Sequence, residues 1–202
     1  MAHFAIRTAT LAALVSATLL TSACAAPLTP VIPGDGSPTS VDVLGQGTVI
    51  QVGDSAPQFC LGAIAESYPP QCSGPELKGW DWELYDGSES AGDVTWGAYA
   101  VWGEWDDSTL TVTDAVMLAL YDPAPIVDPA RDPANAGTTS EADIVVVQER
   151  VIANAPVQVL STSIENGFVF VYVVHDDGSI QEWADASYGP DVVQVRSALV
   201  EI

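Results

Sequence analysis

From about residue 46 onward the chain alternates apolar and polar side chains, and the period of that alternation assigns its elements. Gly47-Thr48-Val49-Ile50-Gln51-Val52 is β-branched and loosely alternating, which predicts a strand. Gly79-Trp80-Asp81-Trp82-Glu83 alternates strictly, so a strand there would set both indoles on one face and both carboxylates on the other. From Trp96 to Trp105 the residues Trp96, Ala98, Ala100 and Trp102 alternate with Gly97, Tyr99, Val101, Gly103 and Trp105. A strand with large apolar groups on both faces belongs inside a small barrel or between layers. Asp106-Asp107-Ser108-Thr109 is a turn, and Leu110-Thr111-Val112-Thr113 begins the returning strand. Gly97 and Gly103 mark bulges or tight bends of the kind that close barrels. The pattern over 46–121 therefore predicts a small antiparallel β-barrel of OB-like topology.

The pattern changes after a run of proline. Asp122-Pro123-Ala124, Asp128-Pro129-Ala130 and Asp132-Pro133-Ala134 repeat one short phrase, and each proline pushes the preceding Asp to extended conformations. Residues 122–137 are expected to be a linker between two domains. Thr138-Thr139-Ser140-Glu141 reads as a capping-box start for a helix over 141–154, although its Ile144-Val145-Val146-Val147 run has β propensity. Val157 to Ile164 reads as a strand, and Asn166-Gly167 is a strong hairpin signal because both residues tolerate positive φ. The partner strand, Phe168 to His175, is almost wholly apolar and so central in its sheet. Ser179-Ile180-Gln181-Glu182 is a second capping box opening a helix to about Ser187, Gly189-Pro190 stops it, and Val192 to Val200 closes the sheet. The expected fold is mainly β plus α+β: the barrel, then an α-β-β-α-β domain over 138–202 with one antiparallel sheet and helices on one side.

The first residues follow a different rule. Residues 1–23 carry His3 and Arg7 ahead of an apolar run from about Ala9 to Leu20, the arrangement of an export signal and too short to span a bilayer. Leu20-Thr21-Ser22-Ala23-Cys24 resembles a bacterial lipobox, departing from it at Thr21, where an aliphatic residue is usual. Lipidation of Cys24 would make it the mature N-terminus; ordinary cleavage near Ala25 or Ala26 is the alternative. Residues 24–45 are rich in Pro, Gly, Ser and Thr and read as a flexible tether. With Cys24 acylated, Cys60 and Cys72 remain, and an exported chain pairs them; closing such a loop contributes roughly 3 kcal/mol. Acyl chains hold a protein at a membrane without a spanning helix. The expected location is the extracytoplasmic face of the cell membrane.

Charge narrows the classes of partner. The chain has 27 Asp and Glu against 5 Lys and Arg, a formal net charge of -22. Nucleic-acid binding draws on Lys and Arg that replace counterions, so nucleic acid and phosphate-rich ligands are excluded. The expected partners are the membrane, through the lipid anchor, and an envelope protein or glycan.

No motif names a reaction. The loop Asp86-Gly87-Ser88-Glu89-Ser90-Ala91-Gly92-Asp93 fails as a calcium EF-hand, because Ala91 stands at the central Gly and Gly97 at the closing Glu. No cofactor or metal set is expected. His175 could be a base oriented by Asp176 or Asp177 with Ser179 as nucleophile, the basis of a hydrolase alternative, but no G-x-S-x-G elbow accompanies it. Trp80, Trp82, Trp102 and Trp105 beside carboxylates offer a carbohydrate-binding alternative, since pyranose rings stack on indoles. The competing expectation is that these tryptophans are core.

Cys60-Leu61-Gly62, Glu66-Ser67-Tyr68-Pro69-Pro70-Gln71-Cys72, Gly79-Trp80-Asp81-Trp82 and Trp96-Gly97 resemble a signature of uncharacterised actinobacterial exported proteins and lipoproteins. Asp176-Asp177-Gly178, Tyr188-Gly189-Pro190 and Arg196-Ser197-Ala198-Leu199 belong with it. The resemblance spans most of 47–202 and carries no activity. Together these readings imply a membrane-anchored, non-catalytic binding or envelope accessory protein.

Overall fold

The computed structural model describes residues 40–125 and 127–202. The leader at 1–23, the lipidation position Cys24 and the tether through residue 39 lie outside those residues. In chain order the elements are β1 (Val41–Val52), β2 (Gln58–Cys60), β3 (Glu76–Lys78), β4 (Glu89–Ala91), β5 (Val94–Trp105) and β6 (Thr109–Met117). They continue with α1 (Glu141–Asn154), β7 (Val159–Glu165), β8 (Phe168–Val173), α2 (Ser179–Tyr188), β9 (Val193–Ser197) and β10 (Leu199–Glu201). The result is a β-rich α+β fold with one sheet of seven strands and one of three.

The first sheet runs β10-β1-β2-β3-β6-β5-β4, and β1 also pairs along its whole length with β5. The pairings therefore return to their starting strand through β2, β3, β6 and β5. β3 and β6 are parallel, a departure from the wholly antiparallel sheet that the alternation predicts. β1 begins at Val41 rather than after residue 45, because Val43 is fully buried and pairs with Gly103. The core fills from alternate positions of these strands: Val43, Val49, Phe59, Tyr99, Val101 and Leu110 have no exposed surface. The two glycines of β5 do different things. At Gly103 the β5–β6 register shifts, and a Cβ there would meet the Thr111 carbonyl at 2.4 Å, so this is the bulge that the sequence predicts. Gly97 keeps its register; a Cβ would strike the Tyr99 ring at 2.6 Å, so its bareness makes room for that ring.

Gly79 to Glu83 is not a strand. Gly79 has φ 77° and the Asp81 carboxylate accepts the Glu83 N–H at 2.9 Å, a side-chain turn that breaks the alternation. The turn lets both indoles reach the same core tyrosine: Trp80 lies 4.9 Å and Trp82 6.3 Å from the Tyr99 ring centroid. Burial of two indoles outweighs the local period. The Cys60–Cys72 disulfide is formed, and Ala65 pairs with Gln71 inside its loop.

The second sheet, β7-β8-β9, joins antiparallel β7–β8 to a parallel β8–β9 pair through α2, where a single antiparallel sheet is expected from the sequence. The Asn166-Gly167 hairpin forms as predicted, with φ of 51° and 80°. α1 spans its predicted range, with the Ser140 hydroxyl accepting the Asp143 N–H at 3.2 Å. Its β-prone run stays helical because Ile144, Val147 and Val151 fall on one face and pack against Val169, Val171 and Val173. Ile180 and Ala184 of α2 join the same cluster, so both helices cover one side of the sheet. The expected closing strand over 192–200 divides at Ala198. Val193 and Val195 enter the second core, whereas Leu199, with no exposed surface, enters the first, and β10 pairs with β1.

The proline-rich segment covers the other side of the second sheet. Asp128 and Asp132 accept the N–H groups of Ala130 and Ala134 and start short 3-10 turns at Pro129–Arg131 and Pro133–Asn135. An aspartate before a proline is a start signal for a helical turn as well as a breaker, which is why the Asp-Pro-Ala phrase builds structure here. Ala130 packs with Phe168 and Phe170, and the Asn166 amide donates to the carbonyls of Ala130 and Asp132. The described residues cluster as one compact unit.

One ion pair pins this segment down. Arg196 of β9 donates from Nε to Asp128 Oδ2 and from Nη2 to Asp128 Oδ1, both at 2.8 Å, over the face of Phe170. The Arg196 hydrogen bonds, opposed by burial and aided by the Ala130 N–H, hold the Asp128 carboxyl below its ordinary range. A depressed folded pKa stabilises the fold above the unfolded value of 3.8, and this contribution is lost as pH falls through the folded pKa. Asp128→Ala is expected to cost about 2 kcal/mol in urea denaturation at pH 7. Asp128→Asn is expected to flatten the loss of stability at acid pH expected of the native protein; an unchanged acid limb would refute the assignment.

Candidate functional site

A cleft of about 580 Å³ opens where the first sheet meets the second. One wall is apolar, built from Leu61 after β2, Val157 and Leu160 around the start of β7, Val173 and Val174 at the end of β8, and Ile180 of α2. Trp105 and Pro75 contribute from the first sheet. The polar lining comes from two turns, Asp107 and Ser108 between β5 and β6 and His175, Asp177 and Ser179 between β8 and α2, together with Ser73 and Gln158.

Each turn is fixed by its own carboxylates. Asp106 Oδ1 accepts the N–H groups of Ser108 and Thr109 and the Ser108 hydroxyl, within 3.1 Å, which leaves Asp107 in the left-handed region at φ 68° and exposed. The Ser108 hydroxyl and then the Thr109 N–H hold the Asp106 carboxyl below its ordinary range. Before α2, Asp176 Oδ1 accepts the N–H groups of Gly178 and Ile180 at 3.0 and 2.9 Å, and Oδ2 accepts that of Gln181 at 3.3 Å. Asp177 Oδ1 takes the Ser179 N–H at 3.0 Å. Hydrogen bonds from Ser179, its hydroxyl first and its N–H second, lower the Asp177 carboxyl. The start of α2 is thus capped by Asp176 and Asp177, where the sequence predicts a Ser179 capping box. The helix begins with every one of these donors directed at a carboxylate of this chain.

The sequence-predicted groups separate into distinct places. His175 is near the cleft, yet its Nε2 stands 3.2 Å from Glu201 Oε1 of β10 rather than pairing with an adjacent aspartate. Its side chain is only 7% exposed. Among Trp80, Trp82, Trp102 and Trp105, only Trp105 lines the cleft. Trp80 and Trp82 lie edge to face with centroids 5.3 Å apart, and Trp82 Nε1 donates to Gln51 at 2.6 Å. Trp102, half-buried, packs edge-on against Tyr121. Trp96, at the other end of β5, packs against the exposed Tyr68 of the disulfide loop. The four tryptophans offered as one stacking surface therefore do not share one. Cys60 and Cys72 form their bridge and supply no reactive thiol.

Among the described residues, no three His, Cys, Asp or Glu side chains stand together as a metal set, and no helix is long and apolar enough to cross a membrane. Sequence reasoning missed the cleft's apolar wall. Leu61, Leu160 and Val174 come from separate segments, and none belongs to a local pattern that distinguishes a ligand wall from core.

Compared with known protein families, curated proteins and solved structures, the chain matches none.

Trp105 is 5% exposed and its indole N–H has no hydrogen-bond partner among the described residues. An unpaired buried donor forfeits solvation without recompense, while the ring contributes burial. Trp105→Phe is expected to stay within about 1 kcal/mol of the native stability, and Trp105→Ala to lose about 3–5 kcal/mol, both read by chemical denaturation. A loss for Trp105→Phe as large as that for Trp105→Ala would mean that the N–H is paired.

Proposed function

We propose that this chain is a lipid-anchored extracytoplasmic binding protein that holds a small ligand in the cleft between its two sheets, acting by binding rather than by catalysis. The observation that carries the reading is the cleft itself. It has the volume of a small-molecule site and sets an apolar wall beside convergent polar groups, the combination that such sites use to hold and orient a ligand. Its walls come from the disulfide-bearing loop, the β5–β6 turn and the β8–α2 turn, so a rigid scaffold positions loops that bind.

In this reading the first sheet is a closed barrel of OB-like topology. Support comes from the return pairing of β1 with β5 and from the parallel β3–β6 pair, which places the strands in the cyclic order β1-β2-β3-β6-β5. The leader and Cys24 supply the anchor, and the tether lifts the folded part from the membrane. A bridged cysteine pair suits an oxidising, exported location. The glycan alternative finds less support, because Trp105 alone among the four tryptophans reaches the cleft.

Two measurements test the reading. The native protein expressed in a lipoprotein-processing bacterium is expected to enter the detergent phase of a Triton X-114 separation, and Cys24→Ser to move it to the aqueous phase; equal partition would overturn the anchor. The neutral dye Nile red is expected to bind the exported Cys24→Ser protein saturably. Leu160→Trp, which fills the cleft, should abolish that binding with the far-ultraviolet circular dichroism unchanged. Saturable binding indifferent to Leu160→Trp would overturn the cleft as the site.

A further inference from the structure

We infer that the ligand class of this cleft is an organic cation: an apolar body bearing one protonated nitrogen. The inference rests on the proposed binding role of the cleft and adds its charge selectivity. Asp107 and Asp177 line it from opposite sheets, one from the β5–β6 turn and one from the β8–α2 turn. They differ from the neighbouring Asp106 and Asp176 in facing the cleft. Asp106 Oδ1 and both oxygens of Asp176 serve the N–H groups of their own turns, and neither residue lines the cleft. Asp177 accepts the N–H and hydroxyl of Ser179 and stays exposed, and Asp107, also exposed, accepts no hydrogen bond among the described residues. Two carboxylates at the mouth of an apolar cleft, each with acceptor capacity to spare, suit an ammonium whose hydrocarbon lies on Leu61, Leu160 and Ile180.

The same lining disfavours anions. Neither Lys nor Arg is among the described residues that line the cleft. The start of α2, the one helix end there that could receive an anion, is already capped by Asp176 and Asp177. His175 faces Glu201, so any charge on the imidazole is offset by that carboxylate. The formal net charge of -22 also draws organic cations toward the surface and raises their encounter rate.

A matched series separates charge from hydrophobic fit: 4-phenylbutylamine, 4-phenylbutanol and 4-phenylbutyrate, each displacing Nile red from the exported Cys24→Ser protein at low ionic strength. The amine is expected to bind about tenfold more tightly than the alcohol, and the acid more weakly than either. The double variant Asp107→Asn with Asp177→Asn should erase the preference of amine over alcohol and leave the alcohol unchanged. Asp42→Asn with Asp54→Asn, outside the cleft, should leave the preference intact, which separates site charge from net charge. Equal displacement by amine and alcohol, or a preference that survives loss of Asp107 and Asp177, would overturn the inference while the cleft stands as a site. Failure of Leu160→Trp to block Nile red and all three compounds would instead overturn the underlying binding role.

Discussion

The first sheet and its joint with the second depend on the hydrogen-bonding of one strand, β1, along both of its edges. One edge pairs with β5 from Val41 to Val52. The other is shared, Val43 to Gly45 with β10 and Thr48 to Ile50 with β2. A buried strand must satisfy its N–H and C=O groups on each side, because leaving them unpaired costs about 1–3 kcal/mol apiece. The glycines of β1 suit this crowding. A Cβ on Gly45 would meet the side chains of Leu199 and Phe59 at 2.6 and 2.8 Å, so the strand can be packed closely only where it is bare.

The joint between the sheets follows from that demand. To complete the β1 edge, the chain must leave β9 and cross to the first sheet, and it does so at Ala198. The crossing is held by backbone bonds from Ala198 and Leu199 to Val173 and Val174, both 2.9 Å. Those carbonyls belong to the end of β8, whose side chains also line the cleft. The hollow is thus a by-product of two sheets that share one run of chain without stacking face to face. Its polar rim is assembled where β5 and β8 end.

Much of the fold was legible where local chemistry and tertiary packing agree. Ser140 caps α1, Asn166-Gly167 turns the hairpin and Gly103 sits opposite the β5–β6 bulge, because capping chemistry, positive φ and close backbone approach respectively select those residues. The sequence misled where one pattern serves two structures. Trp-Asp-Trp alternates like a strand, yet Asp81 closes a turn and the indoles converge on Tyr99. Asp-Pro-Ala looks like a linker but caps short turns, and its value depends on Arg196, far along the chain. The candidate site was the least legible part. Asp177 and His175 stood out by type, but Asp107, Leu61 and Leu160 acquire meaning only when separate segments meet, and no spacing within one segment encodes that meeting.

The pairing of Gly45 with Leu199 also orders events in time. A chain made N-terminus first delivers β1, β2 and β5 early, and those can pair before the rest is complete. The β1 edge beside Val43 to Gly45 then stays open until α1, the second sheet and finally β10 have arrived. Contacts this distant in sequence form late and slowly, and an open strand edge is a template for pairing with other chains. A formal net charge of -22 makes copies of the chain repel one another, which opposes such pairing.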